Sequence, residues 1–233
     1  MHERRARAVF TAGGLAALVM VVVVSALGGI ASALADGDIT MAVRVLDADR
    51  QAVPDTAYTK DVTLYFPFLG GTFFGEAQDA MGIRKRVRVG DRLRFDLAAL
   101  GGRVEAVARR WRDDPGAVTV SPPDARLVRF GTGSAREDGS PFADLTFTLD
   151  LESKETVFLV YTDRPCSIRG EGRMGATKAD YAVDLPRRGF HWVRVQLAGA
   201  DRVRLRADAT MTEATLGLQI IGRRGEERGG LTP

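Results

Sequence analysis

Hydrophobic and polar residues alternate along most of the chain after residue 38. In the first such segment, Ile39, Met41, Val43 and Val45 are separated by polar or small residues. A period of two is typical of a β-strand with one face buried and the other in solvent. The same pattern predicts further strands, whose apolar positions are Val62, Leu64, Phe66 and Phe68; Val87 and Val89; Leu93, Phe95 and Leu97; Leu145, Phe147, Leu149 and Leu151; Tyr181, Val183 and Leu185; Val193, Val195 and Leu197; Val203, Leu205, Ala207 and Ala209; and Leu216, Leu218 and Ile220.

Other segments complete the predicted elements. Residues 117–120 and 126–130 are predicted strands, and the unbroken apolar run at 157–161 predicts a strand covered on both faces. Residues 103–112 have apolar side chains at helical spacing, which favours a short amphipathic helix and leaves a strand as the alternative. The strands ending at residues 89 and 97 are predicted to form a hairpin, with its turn at residues 90–91.

Together these elements predict a mainly β fold. We expect an antiparallel β-sandwich, one large or two small, with a hydrophobic N-terminal helix and at most one short additional helix. Residues 131–141 are rich in Gly, Ser and charged side chains and predict a linker or loop. This segment would separate a β-sandwich domain at 37–130 from a second β-sheet domain, or the second half of one sandwich, at 142–222. A flexible tail is expected at 223–233.

The N-terminus has the pattern of an export signal. Arg4, Arg5 and Arg7 precede an uncharged, apolar stretch at residues 8–35 that ends in Ala-Leu-Ala before Asp36. A basic start, an apolar centre and small residues at the end predict a signal peptide at 1–35, cleaved between Ala35 and Asp36. The stretch also exceeds the roughly 20 residues that span a bilayer, so an uncleaved membrane anchor through residues 8–35 is the alternative. Either way, we expect export across the cytoplasmic membrane, to a periplasmic, extracellular or outward-facing anchored location.

The charge balance changes after export. Three of the 33 basic residues and one of the 30 acidic residues lie before residue 36, which leaves 30 and 29 and a net charge of +1. The basic character of the whole sequence is therefore no indication of nucleic-acid binding, and none is expected. The single thiol, Cys166, cannot form an internal disulfide and is expected to be a small buried residue.

Motifs for catalysis or cofactor binding lack their required context. Residues 170–175 spell G-x-G-x-x-G, but a second strand pattern follows instead of a helix, so the sequence favours a loop over a dinucleotide site. His191 is the only histidine after residue 35, and no nucleophile motif accompanies it. We therefore predict no catalytic residue, no metal ligand and no cofactor.

Two sets of arginines are the most distinctive polar feature. They project from one side of two predicted hairpins and comprise Arg86, Arg88, Arg92 and Arg94 in the first and Arg202, Arg204 and Arg206 in the last. Guanidinium groups aligned on a sheet could bind an anionic glycan, a lipid headgroup or an acidic protein surface. The alternative is an ordinary solvent-facing side of an antiparallel sheet, since Asp residues alternate with these arginines.

The sequence thus predicts an exported, non-enzymatic β-sandwich protein that acts as a binding or accessory structural module of the cell envelope. One alternative is an extracellular or periplasmic carbohydrate-active hydrolase that uses two carboxylates in a cleft. Another is a single-pass accessory subunit of a membrane complex, with residues 8–35 packed against other membrane helices.

Overall fold

The structure is a computed structural model of the chain. It describes residues 38–47, 51–53, 61–73, 82–112, 117–131, 133–148, 155–174, 176–208, 211 and 214–220. The predicted N-terminal segment, the cleavage site at Ala35 and Asp36, and the predicted tail at 223–233 lie outside the described residues.

The described residues form fifteen strands and one helix. The elements in chain order are β1 (Asp38–Leu46), β2 (Asp61–Gly70), β3 (Gly82–Arg88), β4 (Arg92–Asp96), α1 (Leu97–Val107), β5 (Arg109–Arg110), β6 (Val118–Ser121), β7 (Arg126–Phe130), β8 (Ser134–Glu137), β9 (Ser140–Thr148), β10 (Thr156–Thr162), β11 (Cys166–Met174), β12 (Thr177–Leu185), β13 (Gly189–Leu197), β14 (Arg202–Asp208) and β15 (Ala214–Ile220). The prediction of a mainly β fold is confirmed. Within the described ranges, no helix is long and apolar enough to cross a membrane.

Helix α1 confirms the predicted short helix but not its bounds. It begins six residues before residue 103 and ends at Val107, and the chain becomes extended at Ala108. The Asp96 side chain caps its start by accepting a hydrogen bond from the backbone N–H of Ala99 at 2.9 Å. Gly101 and Gly102, in the middle of the helix, weaken its sequence signal because glycine is a poor helix former.

All strands belong to one hydrogen-bonded network. Its main path runs β4-β1-β15-β9-β8-β2-β7-β10-β13-β14-β12-β11-β6, while β3 pairs with β2 and β5 pairs with β7. Most neighbours are antiparallel, as predicted, but β1–β15 and β12–β14 are parallel. Alternation of side chains reports which face of a strand is buried, not the direction of its neighbour, so these two pairings were not predicted.

The predicted hairpin at residues 90–91 does not form. Strand β3 pairs with β2, whereas β4 pairs with β1. The turn between them is held by β1, because the backbone N–H of Val43 donates to Asp91 and the carbonyl of Val43 accepts from Gly90. Gly90 has φ of 93°, a conformation that glycine adopts without strain. The prediction was wrong because a turn with these residues can connect the two strands of a hairpin or two strands that pair with different neighbours.

Two other segments differ from their predicted form. Residues 134–137 and 140–148 form the β8–β9 hairpin, where a linker or loop was predicted from residue 131 to residue 141. Asp138 and Gly139 have φ of 48° and 85°, the values of a two-residue turn of the primed type. Strand β11 occupies most of the G-x-G-x-x-G segment that was predicted as a loop. The division into two domains stays a prediction.

The buried residues form two hydrophobic cores. The first core includes Ile39, Leu64, Phe66, Phe95 and Leu216, and the second includes Ile168, Tyr181, Val183, Val203 and Leu205. Strands β7, β10 and β13 contribute to both. In β10, for example, Leu159 lies in the first core and Val160 in the second. The predicted strand with both faces covered is confirmed, and it separates the two cores.

Candidate anion-binding site

The first predicted set of arginines is exposed and partly neutralised. Arg86 on β3 forms an ion pair with Asp61 at 3.0 Å, and Arg94 on β4 pairs with Asp38. The hydrogen bond that Arg94 donates to Asp38, together with the negative charge of Asp38, raises the pKa of Arg94 above its ordinary value. Arg92 also has an interaction partner. The Arg88 side chain is exposed on β3. Since β3 and β4 pair with different strands, the structure does not bring these four side chains together as a hairpin face.

The second predicted set lies on β14. Arg202 donates to both carboxylate oxygens of Asp180, at 2.9 and 3.1 Å, and this hydrogen bonding raises its pKa. Arg204 and Arg206 are exposed on the same face. Arg206 is opposite Arg194 of β13, whose own guanidinium pairs with Asp208 at 2.8 Å. Most charges near this face are therefore balanced locally, and anion binding by β14 stays a prediction.

A third group of arginines was not among the predicted sites. We call Arg109, Arg110, Arg112 and Arg126 the arginine cluster. With Ala108, these four residues line a concavity of about 440 Å³. A smaller concavity of about 260 Å³ adjoins it, because the two share Ala108 and Arg126. The remaining lining residues of the smaller concavity are Glu105, Asp163 and Arg188.

Glycines at the end of β2 let the arginine cluster form. A Cβ atom on Gly70 would lie 2.3 Å from the carbonyl oxygen of Val107, and one on Gly71 would lie 2.1 Å from that of Arg110. Gly71 also has φ of 71°. The absence of side chains allows the segment after α1 to pack closely on this strand end. The backbone N–H of Arg112 then donates to Gly71 at 2.7 Å, which fixes the segment in place.

Strand β5 places two arginines side by side. In the antiparallel pairing of β5 with β7, Arg110 is directly opposite Arg126, and Arg109 is opposite Leu127. Directly opposite residues project from the same face, with Cβ atoms about 4.5–5.5 Å apart. Arg110 and Arg126 are both exposed. Like charges in this position destabilise a strand pair, so the arrangement is unfavourable without an anion.

Two of the four guanidinium groups are hydrogen-bonded to backbone carbonyls. Arg109 donates from Nη1 to the carbonyls of Ala106 and Ala108, both at 3.0 Å, and so caps the end of α1. Arg112 donates from Nη2 to the carbonyl of Gly70 at 2.6 Å. Within the described part of the chain, neither the Arg110 nor the Arg126 side chain forms a hydrogen bond or an ion pair. These two charges are therefore available to a ligand.

The smaller concavity holds two carboxylates that are already engaged. The Tyr161 hydroxyl donates to Oε1 of Glu105 at 2.5 Å, and Arg188 donates to the same oxygen. Burial, with a smaller effect of the Asp163 charge, raises the pKa of Tyr161. Oδ1 of Asp163 accepts from the backbone N–H of Arg126 at 2.9 Å and lies 3.4 Å from Nε of Arg164. Both carboxylates thus connect α1, β7 and β10 to the loops beside them.

His191 and Cys166 have structural environments. The His191 ring is buried, and its Nε2–H donates to the carbonyl of Arg187 at 2.9 Å. Burial lowers its pKa, and the positive charge of Arg187 acts in the same direction. Cys166 is buried beside the Thr162 hydroxyl at 3.5 Å, and burial raises the pKa of its thiol. The expectation of a small buried thiol is confirmed.

The glycines of the G-x-G-x-x-G segment have a packing role. Gly170 and Gly172 lie in β11, which pairs with β12 and β6. A Cβ atom on Gly172 would be 3.0 Å from the Tyr181 ring, and one on Gly170 would be 2.1 Å from the carbonyl oxygen of Ala117. The structure thus explains both residues without a phosphate ligand. Among the described residues, no group of three His, Cys, Asp or Glu side chains could hold a metal ion.

Sequence reasoning missed the arginine cluster because its members fall into two different predicted elements. Three of them lie within the segment predicted as helix 103–112, and Arg126 begins a strand. The run Arg-Arg-Trp-Arg at residues 109–112 was the available signal, since it concentrates three cations in four residues.

Comparisons with known proteins do not identify this chain. No protein-family model matches it, and no match was found to a curated protein or to a solved structure.

Proposed function

We propose that this protein is an exported, non-enzymatic β-sandwich protein of the cell envelope that binds an anionic partner through the arginine cluster. The observation that carries the proposal is the direct opposition of Arg110 and Arg126 on an exposed strand pair. Two like charges at this position are unfavourable in the free protein and become favourable when an anion lies between them.

The proposed location rests on the N-terminal sequence. A basic start, an uncharged apolar stretch and the Ala-Leu-Ala sequence before Asp36 support export. The two hydrophobic cores, with β7, β10 and β13 between them, support packed layers of the kind that a sandwich fold uses.

We expect anion binding to depend on the arginine cluster and not on the net charge of the molecule. With a net charge of +1 after residue 35, the molecule as a whole attracts anions only weakly. The arginine cluster, by contrast, places four arginine residues around one concavity. Since guanidinium groups donate pairs of parallel hydrogen bonds, they bind carboxylate, phosphate and sulfate groups better than isolated ammonium groups do.

The carboxylates support a binding role over hydrolysis. A glycosidase needs one carboxyl group that can deliver a proton and a second that acts as base or nucleophile. Glu105 and Asp163 share a concavity, but Glu105 accepts hydrogen bonds from Tyr161 and Arg188, and Asp163 accepts from the backbone of Arg126. Side chains used in this way stabilise the fold around the arginine cluster.

The test is binding to anionic envelope components. The protein is isolated after export, and its intact mass establishes whether residues 1–35 are retained. Sedimentation with anionic vesicles and with an anionic polysaccharide is then measured at about 20 mM and about 150 mM salt. We expect the double variant Arg110→Ala/Arg126→Ala to bind about 100-fold more weakly, because each of the two lost charge-assisted contacts is worth about 1.5 kcal/mol.

The matched control is Lys85→Ala/Arg173→Ala, which removes the same charge from exposed positions on β3 and β11 that belong to neither predicted set of arginines. It is expected to change affinity less than about twofold, since distant surface charges are screened. Equal loss in both double variants would show that net charge, not the arginine cluster, determines binding. Absence of binding by the unmodified protein would refute the proposal.

A further inference from the structure

We infer that Arg110 and Arg126 together bind one doubly charged phosphate group, as a phosphate monoester or as inorganic phosphate. The inference rests on the proposed function, since it names the chemical class of the anionic ligand. It depends on the register of β5 against β7, on the partners of the surrounding arginines and on the charge of the pair.

The register sets the distance between the two donors. Arg110 and Arg126 are directly opposite in an antiparallel pair, so their side chains leave the sheet from the same face about 4.5–5.5 Å apart. Each guanidinium is a planar fork with two parallel N–H groups, and each is exposed and unconstrained by a protein acceptor in the described residues. Two such forks can turn toward one anion from both sides.

A phosphate group fits this pair better than a carboxylate does. A carboxylate has two oxygens and one negative charge, which a single guanidinium fork already satisfies. A phosphate monoester has three acceptor oxygens and a charge of about −1.5 to −2 near neutral pH, so it can accept from both forks and neutralise both cations. The opposed pair is therefore matched to a divalent anion.

The neighbouring arginines favour an anion without competing for its oxygens. Arg109 and Arg112 line the same concavity, but their N–H groups donate to the carbonyls of Ala106, Ala108 and Gly70. Their positive charges remain and add to the attraction. The two acidic residues that line the adjoining concavity, Glu105 and Asp163, form ion pairs with Arg188 and Arg164.

Phosphate binding is tested first with the simplest probe. Thermal unfolding of the exported protein is followed with increasing inorganic phosphate and, at the same ionic strength, with acetate or chloride. Because a ligand of the native state stabilises it, phosphate about 100 times above its Kd should raise the Tm by about 5 °C. Acetate and chloride should leave the Tm nearly unchanged.

Variants locate the site. Arg110→Gln and Arg126→Gln should each weaken phosphate binding about tenfold, and Arg173→Gln, a control at an exposed position on β11, should not. Arg110→Glu serves as a second check on folding, since it replaces a like-charge pair with an opposite-charge pair. This variant should be at least as stable as the unmodified protein without phosphate and should gain no stability from it.

Vesicles distinguish the source of the phosphate group. Phosphatidylcholine vesicles that contain phosphatidic acid carry a monoester, whereas those with phosphatidylglycerol carry a singly charged diester. Binding to the first alone would identify a lipid phosphate, while phosphate binding without vesicle binding would identify a soluble phosphorylated compound.

The inference is overturned if acetate stabilises the protein as well as phosphate does, or if Arg110→Gln and Arg126→Gln bind phosphate like the unmodified protein. In that case, continued binding to anionic polysaccharide that is lost in Arg110→Ala/Arg126→Ala would leave the proposed function standing. If the protein binds neither phosphate nor any anionic polymer, both proposals fail.

Discussion

Gly170 lies where β11 passes closest to the residue before β6. Its φ is 121°, and a Cβ atom would lie 2.1 Å from the carbonyl oxygen of Ala117. Gly170→Ala should therefore lower the free energy of unfolding by about 3 kcal/mol or more, because it adds backbone strain and a clash with a backbone atom. Urea denaturation measures the change, and a variant as stable as the unmodified protein would contradict the geometry.

Gly102→Ala is the matched control, and we expect it to stabilise the protein whereas Gly170→Ala destabilises it. Gly102 lies in the interior of α1, and a Cβ atom there would meet nothing within 4 Å. Alanine has the higher helix propensity, so the substitution should raise the free energy of unfolding by about 0.5–1 kcal/mol.

His191 gives a prediction for the pH dependence of stability. Burial lowers its pKa in the folded protein, whereas an unfolded histidine takes up a proton near about pH 6.5. The unfolded state therefore binds more protons below that pH, and the stability contributed by neutral His191 is present above about pH 6.5 and lost as the pH falls through the folded-state pKa.

His191→Gln removes this titration while an amide N–H can still donate to the carbonyl of Arg187. The free energy of unfolding is measured at about pH 7.5 and about pH 5.5 for both proteins. The loss on acidification should be smaller in the variant. An identical loss in both would mean that His191 does not contribute to the pH dependence.

Burial of single residues was largely predictable from the sequence, whereas the candidate site was not. Val87, Phe95, Val195 and Leu205 all face inward, as their alternation indicates. The pairing of Arg110 with Arg126 depends on the register of a two-residue strand, which no periodicity reveals.

Substitution of Asp96 tests whether its side chain stabilises α1 as an N-terminal cap. Its side chain accepts from the Ala99 N–H at 2.9 Å and so satisfies one of the backbone donors that a helix start leaves open. Asp96→Ala should lower the free energy of unfolding by about 1 kcal/mol, and Asp96→Ser should restore most of it. Chemical denaturation compares the two variants, and equal stability of Ala and Ser at this position would exclude a capping role.

At the level of elements, the sequence predicted strands wherever one face is continuously apolar. It did not predict β11, because Gly170, Glu171 and Gly172 interrupt the alternation and the Tyr181 ring covers a glycine instead of a larger side chain. It also did not predict that β3 and β4 separate, since neighbour choice depends on contacts between distant segments. Local patterns identify a strand, but tertiary packing selects its partner.

At the level of the whole molecule, the two cores lie on opposite faces of β7, β10 and β13, which form a shared wall between them. On β7, Leu127 faces the second core and Val128 the first. On β13, Val193 faces the second core and Trp192 the first. The strands on either side of this wall are connected through one hydrogen-bonded network. Loss of either core would expose one face of β7, β10 and β13, which couples the stability of the two cores.

This coupling predicts one cooperative unfolding transition instead of two. Leu64→Ala alters the first core and Leu205→Ala the second, and each side chain is fully buried. Each variant should lower the free energy of unfolding by about 2–5 kcal/mol and shift the same single transition, because the cavity weakens the shared wall. Calorimetry and tryptophan fluorescence should report coincident midpoints. Two resolved transitions, each moved by only one of the variants, would instead establish that the two cores unfold independently.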